Sequence, residues 1–177
     1  MIDEALPKQA DLRKLAKNNA QFHIVSDLSP LSRFSDAVID DDGSGRVQAE
    51  IDIVLDEQHR ITITGHVHCQ TKVQCQRCLE PVAIEFGSDV NLLVVRNDEQ
   101  AKHVNRLFDP LIVEDDSEFD LNELLVDELL LALPFVSYHD DGQCINNHQH
   151  SAAEPTAPER DKKENPFSVL AQLRADK

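Results

Sequence analysis

The sequence predicts an α+β protein: a small antiparallel sheet with flanking helices, followed by a flexible acidic C-terminal tail. Three observations carry this. Apolar and polar residues alternate from Arg46 to Arg96, the period of half-buried strands. Leucines recur at helical spacing from Asp120 to Leu133, which gives one apolar face. After Tyr138 the apolar residues thin out, leaving a stretch with little to bury. The 177 residues suit one domain with appendages. At 41% hydrophobic residues a core can form, and with no Trp it is filled by Leu, Val, Ile and Ala. The expected organisation is a single α+β domain over 1–139, a flexible linker over 140–164 and a C-terminal docking segment over 165–177.

Each element has its own signal. Leu6, Leu12 and Leu15, with basic residues between them, predict a short amphipathic helix over Pro7 to Lys17. A brief strand is expected over Phe22 to Val25. Ser29-Pro30 reads as an N-cap followed by Pro in the first turn, opening a second short helix towards Val38. The run Asp40 to Gly45 is a turn or loop. Val47, Ala49, Ile51 and Ile53 alternate with polar residues, as do Ile61, Ile63, Gly65 and Val67, and then Val82, Ile84 and Phe86. Asp56 to His59 connects the first two strands as a hairpin. Val90 to Val95 is nearly continuous in apolar residues, as in a strand covered on both faces. A meander of about four strands follows.

Asp120, with Glu123 three residues on, fits a capping box. Leu121, Leu124, Leu125, Leu129 and Leu133 form the apolar face behind it, Leu130 and Leu131 widen that face, and Pro134 ends the helix. Much later, Asn165-Pro166-Phe167 restarts structure, with Val169, Leu170 and Leu173 behind it. That segment is expected to dock on its own domain or in a partner's groove.

Charge narrows the function. Seventeen Lys and Arg stand against 33 Asp and Glu, a net charge of −16. The acidity is concentrated: Asp98 to Glu128 holds eleven acidic and two basic residues, while Met1–Phe34 and Arg160–Lys177 are balanced or mildly basic. Such a field repels phosphate and attracts basic partners. Direct RNA binding is expected to be weak, and basic proteins are the expected partners. No apolar run reaches the length of a membrane span. The first residues lack the apolar core of a signal peptide, so the expected location is the cytoplasm.

Four cysteines without an export signal favour free thiols or metal ligands. Cys75-Gln76-Arg77-Cys78 has the spacing with which two thiolates of one turn bind one zinc ion. A single pair is half a site, and two unmetallated turn thiols are the competing reading. His66, His68 and Cys69 are the nearest completing ligands in sequence; His139 and Cys144 are more distant. A thioredoxin-like redox pair would open a helix within a βαβ unit, whereas this pair stands between two strand patterns. His148 and His150 fall in the linker and read as solvated. Glu114, Asp115, Asp116, Glu118 and Asp120 lack the order of a calcium loop and read as an acidic face. No phosphate loop, nucleophile elbow or zinc-protease motif occurs. No catalytic residue is assigned, and the protein is expected not to be an enzyme.

Four motifs occur in order: Cys75 to Pro81, Asp120 to Pro134, His139 to Cys144, and Asn165-Pro166-Phe167-Ser168-Val169-Leu170. Together they resemble the YceD family of large ribosomal RNA subunit accumulation proteins, in particular its proteobacterial branch. The resemblance implies a non-enzymatic role in synthesis, processing or stability of large-subunit ribosomal RNA, within ribosome assembly. Many relatives carry several cysteines after the Leu-Pro segment, in a zinc-ribbon-like tail. Here that region keeps only His139 and Cys144, so the implied zinc ligands are Cys75, Cys78, His139 and Cys144. Contact with assembly intermediates is expected through basic ribosomal proteins or assembly factors. Two other classes compete: an acidic nucleic-acid mimic that binds a basic protein, and a metal-dependent RNA-processing hydrolase, which would need an open coordination position.

Overall fold

The computed structural model describes residues 6–114, 118–140 and 142–144. Along the chain these form α1 (Leu12–Lys17), β1 (Ala20–Ser26), α2 (Ser32–Ser35), β2 (Arg46–Leu55), β3 (Ile61–Gln74), β4 (Pro81–Val95), α3 (Asp98–Ala101), β5 (Asp109–Ile112) and α4 (Leu121–Ala132). The strands lie in one sheet in sequence order. Neighbours from β1 to β4 are antiparallel, as short connections require. The expected α+β class is the observed one.

Alternation decides which face is buried. Val47, Ala49, Ile51 and Ile53 of β2 and Ile61, Ile63, Val67 and Cys69 of β3 join one core. Leu12 and Ala16 of α1, Phe34 of α2, and Leu121, Leu124, Leu125, Val126 and Leu129 of α4 complete it. The other face is solvated. There a single row crosses four strands, His23 opposite Glu50, Glu50 opposite His66 and His66 opposite Asp89.

Several elements differ from expectation, each for a local reason. The patterns at Val82–Phe86 and Val90–Val95 belong to one strand, β4, because pairing with β3 runs unbroken through Gly87 and Ser88. β5 is an additional strand, parallel to β4 over Leu92–Val95. The first helix begins only at Leu12, with the Asp11 side chain accepting from the Lys14 N–H. The second begins at Ser32 rather than Pro30, since the Ser29 hydroxyl and N–H both donate to Asp27. In α4 the Asp120 carboxylate caps as expected, but Glu123 does not turn back. It pairs with Arg33 at 2.7 Å, and Asp127 holds the same guanidinium at 2.9 Å. Leu131 does not widen the buried face either; it is 81% exposed.

β3 and β4 outrun their neighbour. β2 pairs no further than Gln70, while β3 and β4 stay paired out to Gln74 and Pro81. The hairpin therefore ends in a two-stranded tip, with one bridge from Ile39 to Lys72 on its side. Cys75 to Glu80 close this tip.

Candidate metal centre

The turn is built to aim two thiols inward. The Cys75 N–H donates to the Glu80 carbonyl at 3.0 Å, and the Leu79 N–H donates to the Cys75 carbonyl at 2.9 Å. Leu79 takes a left-handed conformation, φ +65°, uncommon for a bulky residue. That strain tightens the turn so that Cys75 and Cys78 are buried beside Val73 and Val82.

The segment after α4 supplies the other half. Leu133 is extended at ψ 126°, as a residue before proline prefers, and this directs the chain away from the helix axis. Farther on, the Ser137 carbonyl accepts from the Gln76 N–H at 3.0 Å. The Arg77 guanidinium lies 5.4 Å from the centre of the Tyr138 ring, an attractive cation–π geometry. Gly142, at φ +87°, and a bond from the Gln143 N–H to the Asp140 carbonyl form the turn that returns the chain to Cys144. Cys144 is 4% exposed.

Four ligand atoms thus converge, from Cys75, Cys78, His139 and Cys144, all within 4.8 Å of one another. The two sulfurs of Cys75 and Cys144 are 4.0 Å apart, and Nδ1 of His139 is 3.4 Å from Cys78 Sγ and 3.9 Å from Cys144 Sγ. A tetrahedron with zinc–sulfur bonds of ~2.3 Å has edges of about 3.8 Å. The donor set fits that ion. His139 is also oriented for it. Its Nε2 lies 3.0 Å from the Pro81 carbonyl; donation there places the proton on Nε2 and leaves the Nδ1 lone pair facing the thiols. Burial opposes ionisation of Cys75, yet the N–H groups of Cys78, Arg77 and His139 and the His139 ring outweigh it and bring the thiol down to about 5. Burial and the neighbouring sulfurs push Cys144 up. The lowered Cys75 thiol is the one readiest to meet a cation as thiolate.

The nearer candidates in sequence are not at the site. Cys69 lies in the main core, where burial and the charge of Asp40 push its thiol up to about 12. His66 and His68 stand on the solvated face, paired with Asp89 at 2.8 Å and Glu85 at 2.9 Å. Period-two alternation alone separates them from Cys69. The roles of Ser137, Tyr138 and the Pro81 carbonyl were not evident in the sequence, because each acts through a contact made only in the folded chain. Among the carboxylates of the acidic stretch, Glu114 and Glu118 are exposed and Asp120 caps α4; Asp115 and Asp116 lie outside the described residues. So do His148, His150, the rest of the expected linker and the expected docking segment over 165–177.

A mainly antiparallel sheet whose longest hairpin lies at its tip against the chain after a helix, with a set of three buried cysteines and one histidine that could hold a metal ion, defines an α+β protein with a candidate metal site. The chain belongs to the YceD family. The family model described as "Large ribosomal RNA subunit accumulation protein YceD" matches residues 63–174, which include all four ligands. The Large ribosomal RNA subunit accumulation protein YceD of Haemophilus influenzae is 28% identical over 169 residues, covering 96% of each chain. No solved structure matches the chain at a significant level. Among the described residues, no helix is long and apolar enough to cross a membrane.

Proposed function

We propose that this protein supports the accumulation of large-subunit ribosomal RNA as a non-enzymatic factor acting in the cytoplasm. It does so by binding basic ribosomal proteins or assembly factors on precursor particles, with zinc as a structural ion. Membership of a family named for that accumulation is the observation that carries the reading. The site supports its non-enzymatic part. If all four groups within 4.8 Å of one another took one zinc ion, they would fill a tetrahedral shell and leave no position for substrate or an activated water. When bound, zinc would cross-link the β3–β4 turn to the segment after α4, and its thiolate charge would be neutralised inside the protein. The net charge of −16 favours basic proteins over bare RNA as the surface gripped.

The test is sedimentation of the native protein from cell lysate at low and at moderate salt. It should travel with precursor large subunits at low salt and leave them as salt rises, because exposed charges are screened over about 8 Å at physiological ionic strength. Tight binding to purified, protein-free ribosomal RNA would overturn the reading. The high negative charge also favours a second reading, an acidic mimic occupying a nucleic-acid site on a basic protein. Competition between this protein and RNA for one partner distinguishes it.

A further inference from the structure

We propose that the outer edge of β4, from Ala83 to Asp89, is a docking site for a basic, extended polypeptide segment that joins the sheet as another strand. β3 occupies one edge of β4 from Pro81 to Leu93. β5 pairs with the opposite edge only at Leu92–Val95. The direction of the backbone groups between follows from the two ends. The Pro81 carbonyl faces His139 Nε2, and the Val95 carbonyl accepts from the Val113 N–H. Alternate residues of a strand turn their N–H and C=O to the same side, so Ala83, Glu85, Gly87 and Asp89 turn theirs outward. Among the described residues, no loop or strand backbone bonds to them there. The Ser88 hydroxyl reaches the Asp89 carbonyl only at 3.5 Å. All four residues are exposed. The open stretch is about 20 Å long, bounded by His139 at one end and β5 at the other.

The occupant follows from charge. Open edges are commonly guarded by Lys or by an interior Pro; β4 has no Lys or Arg, and its one Pro is its first residue. Its charges in this stretch are Glu85 and Asp89, whose carboxylates are 63% and 79% exposed and are steadied by His68 and His66. A second copy pairing here would set acidic residues against acidic residues, which is unfavourable. A strand with alternate Lys or Arg meets them favourably. β1, at the other end of the sheet, carries no acidic residue between Ala20 and Ser26 and lacks this complementarity. Strand addition gives affinity through the backbone and selectivity through alternate side chains. The proposal rests on the reading that the partner is a basic protein, and adds where it binds.

The test uses the full-length, nitrogen-15-labelled protein and a capped seven-residue peptide of alternating Lys and Val at low salt. Amide shifts and slowed exchange are expected at Ala83, Glu85, Gly87 and Asp89 and not along β1. N-methylation of the peptide on its pairing side should weaken binding at least tenfold, and a Glu–Val peptide should not bind. Ala83→Pro, which removes one outward N–H, should weaken binding similarly. If that variant does not fold, Glu85→Lys with Asp89→Lys tests the charge, with at least a fivefold loss expected. Binding indifferent to N-methylation, with shifts elsewhere, overturns the edge and leaves the basic-partner reading intact. No binding by the Lys–Val peptide likewise overturns the edge. The basic-partner reading is judged separately, by whether the native complex contains a basic protein and dissociates with salt.

Discussion

Gly65 faces Ile51 across the β2–β3 ladder, and a Cβ there would lie 1.9 Å from the Glu50 carbonyl oxygen. The obstacle is backbone, so a side chain cannot be absorbed by a change of rotamer. Gly65→Ala is expected to cost about 1–3 kcal/mol, read as a lower urea midpoint with unchanged slope. Glu128 of α4 acts in the opposite sense. Burial, then the charges of Asp109 and Asp127, raise its carboxyl above the ordinary 4.5. A folded value above the unfolded one means the native state holds the proton more tightly, so stability falls as pH rises through the window above 4.5. Glu128→Gln should therefore stabilise the protein at pH 7 by about 0.5 kcal/mol, a small figure because the carboxyl is only half buried. Thermal melts at pH 7 and pH 4 check it, since the gain should vanish at the lower pH.

α4 shows what one element owes to its ends and to one face. The Asp120 carboxylate accepts from the N–H groups of Asn122 at 2.8 Å and Glu123 at 3.2 Å, and Asp120→Ala should cost about 1 kcal/mol. Leu129→Ala should cost about 2–5 kcal/mol, since Leu129 is fully buried. Leu131→Ala should fall within about 0.5 kcal/mol of wild type; chemical denaturation of the three variants gives the ranking. The helix, its cap and its proline stop were legible because each is a local signal. So were β2 and β3, whose alternation is long. The unity of β4 was not, because Gly87 and Ser88 interrupt the apolar pattern while the ladder carries on. β5 was not either. Asp109-Pro110-Leu111-Ile112 has no strand period, and it is a strand only because β4 offers it an edge. Leu131 looks identical to Leu129 in composition; the approach of neighbouring elements decides which is covered.

At the scale of the molecule the described chain has two apolar clusters of unequal size. The main core joins the sheet to α1, α2 and α4, while the second consists of Cys75, Cys78, Val82 and Cys144 with Val73. Cys75 and Cys78 announced themselves by spacing, but the sequence left His66, His68, Cys69, His139 and Cys144 all open as partners and only the resemblance chose among them, because sixty-one positions separate Cys78 from His139 and no local pattern spans such a gap. The fold supplies it by bringing Ser137 onto Gln76. The smaller cluster, at a tip that β2 does not reach, is too slight to hold two chain segments by burial alone, since two valines contribute only a few kcal/mol. Metal binding would contribute the remainder. Loss of the ion should then open the tip locally and leave the sheet intact, because stability in a protein is distributed in separable units. Chelator added to the zinc-loaded protein should speed amide exchange at least tenfold over Val73–Ile84 and Ser137–Cys144, with Ile51, Ile53 and Ile63 unchanged. Cys144→Ser should reproduce this and lose the metal, and Cys69→Ala should keep it. Exchange that quickened uniformly would make the ion a support of the whole fold, and exchange that stayed the same would leave it no structural role.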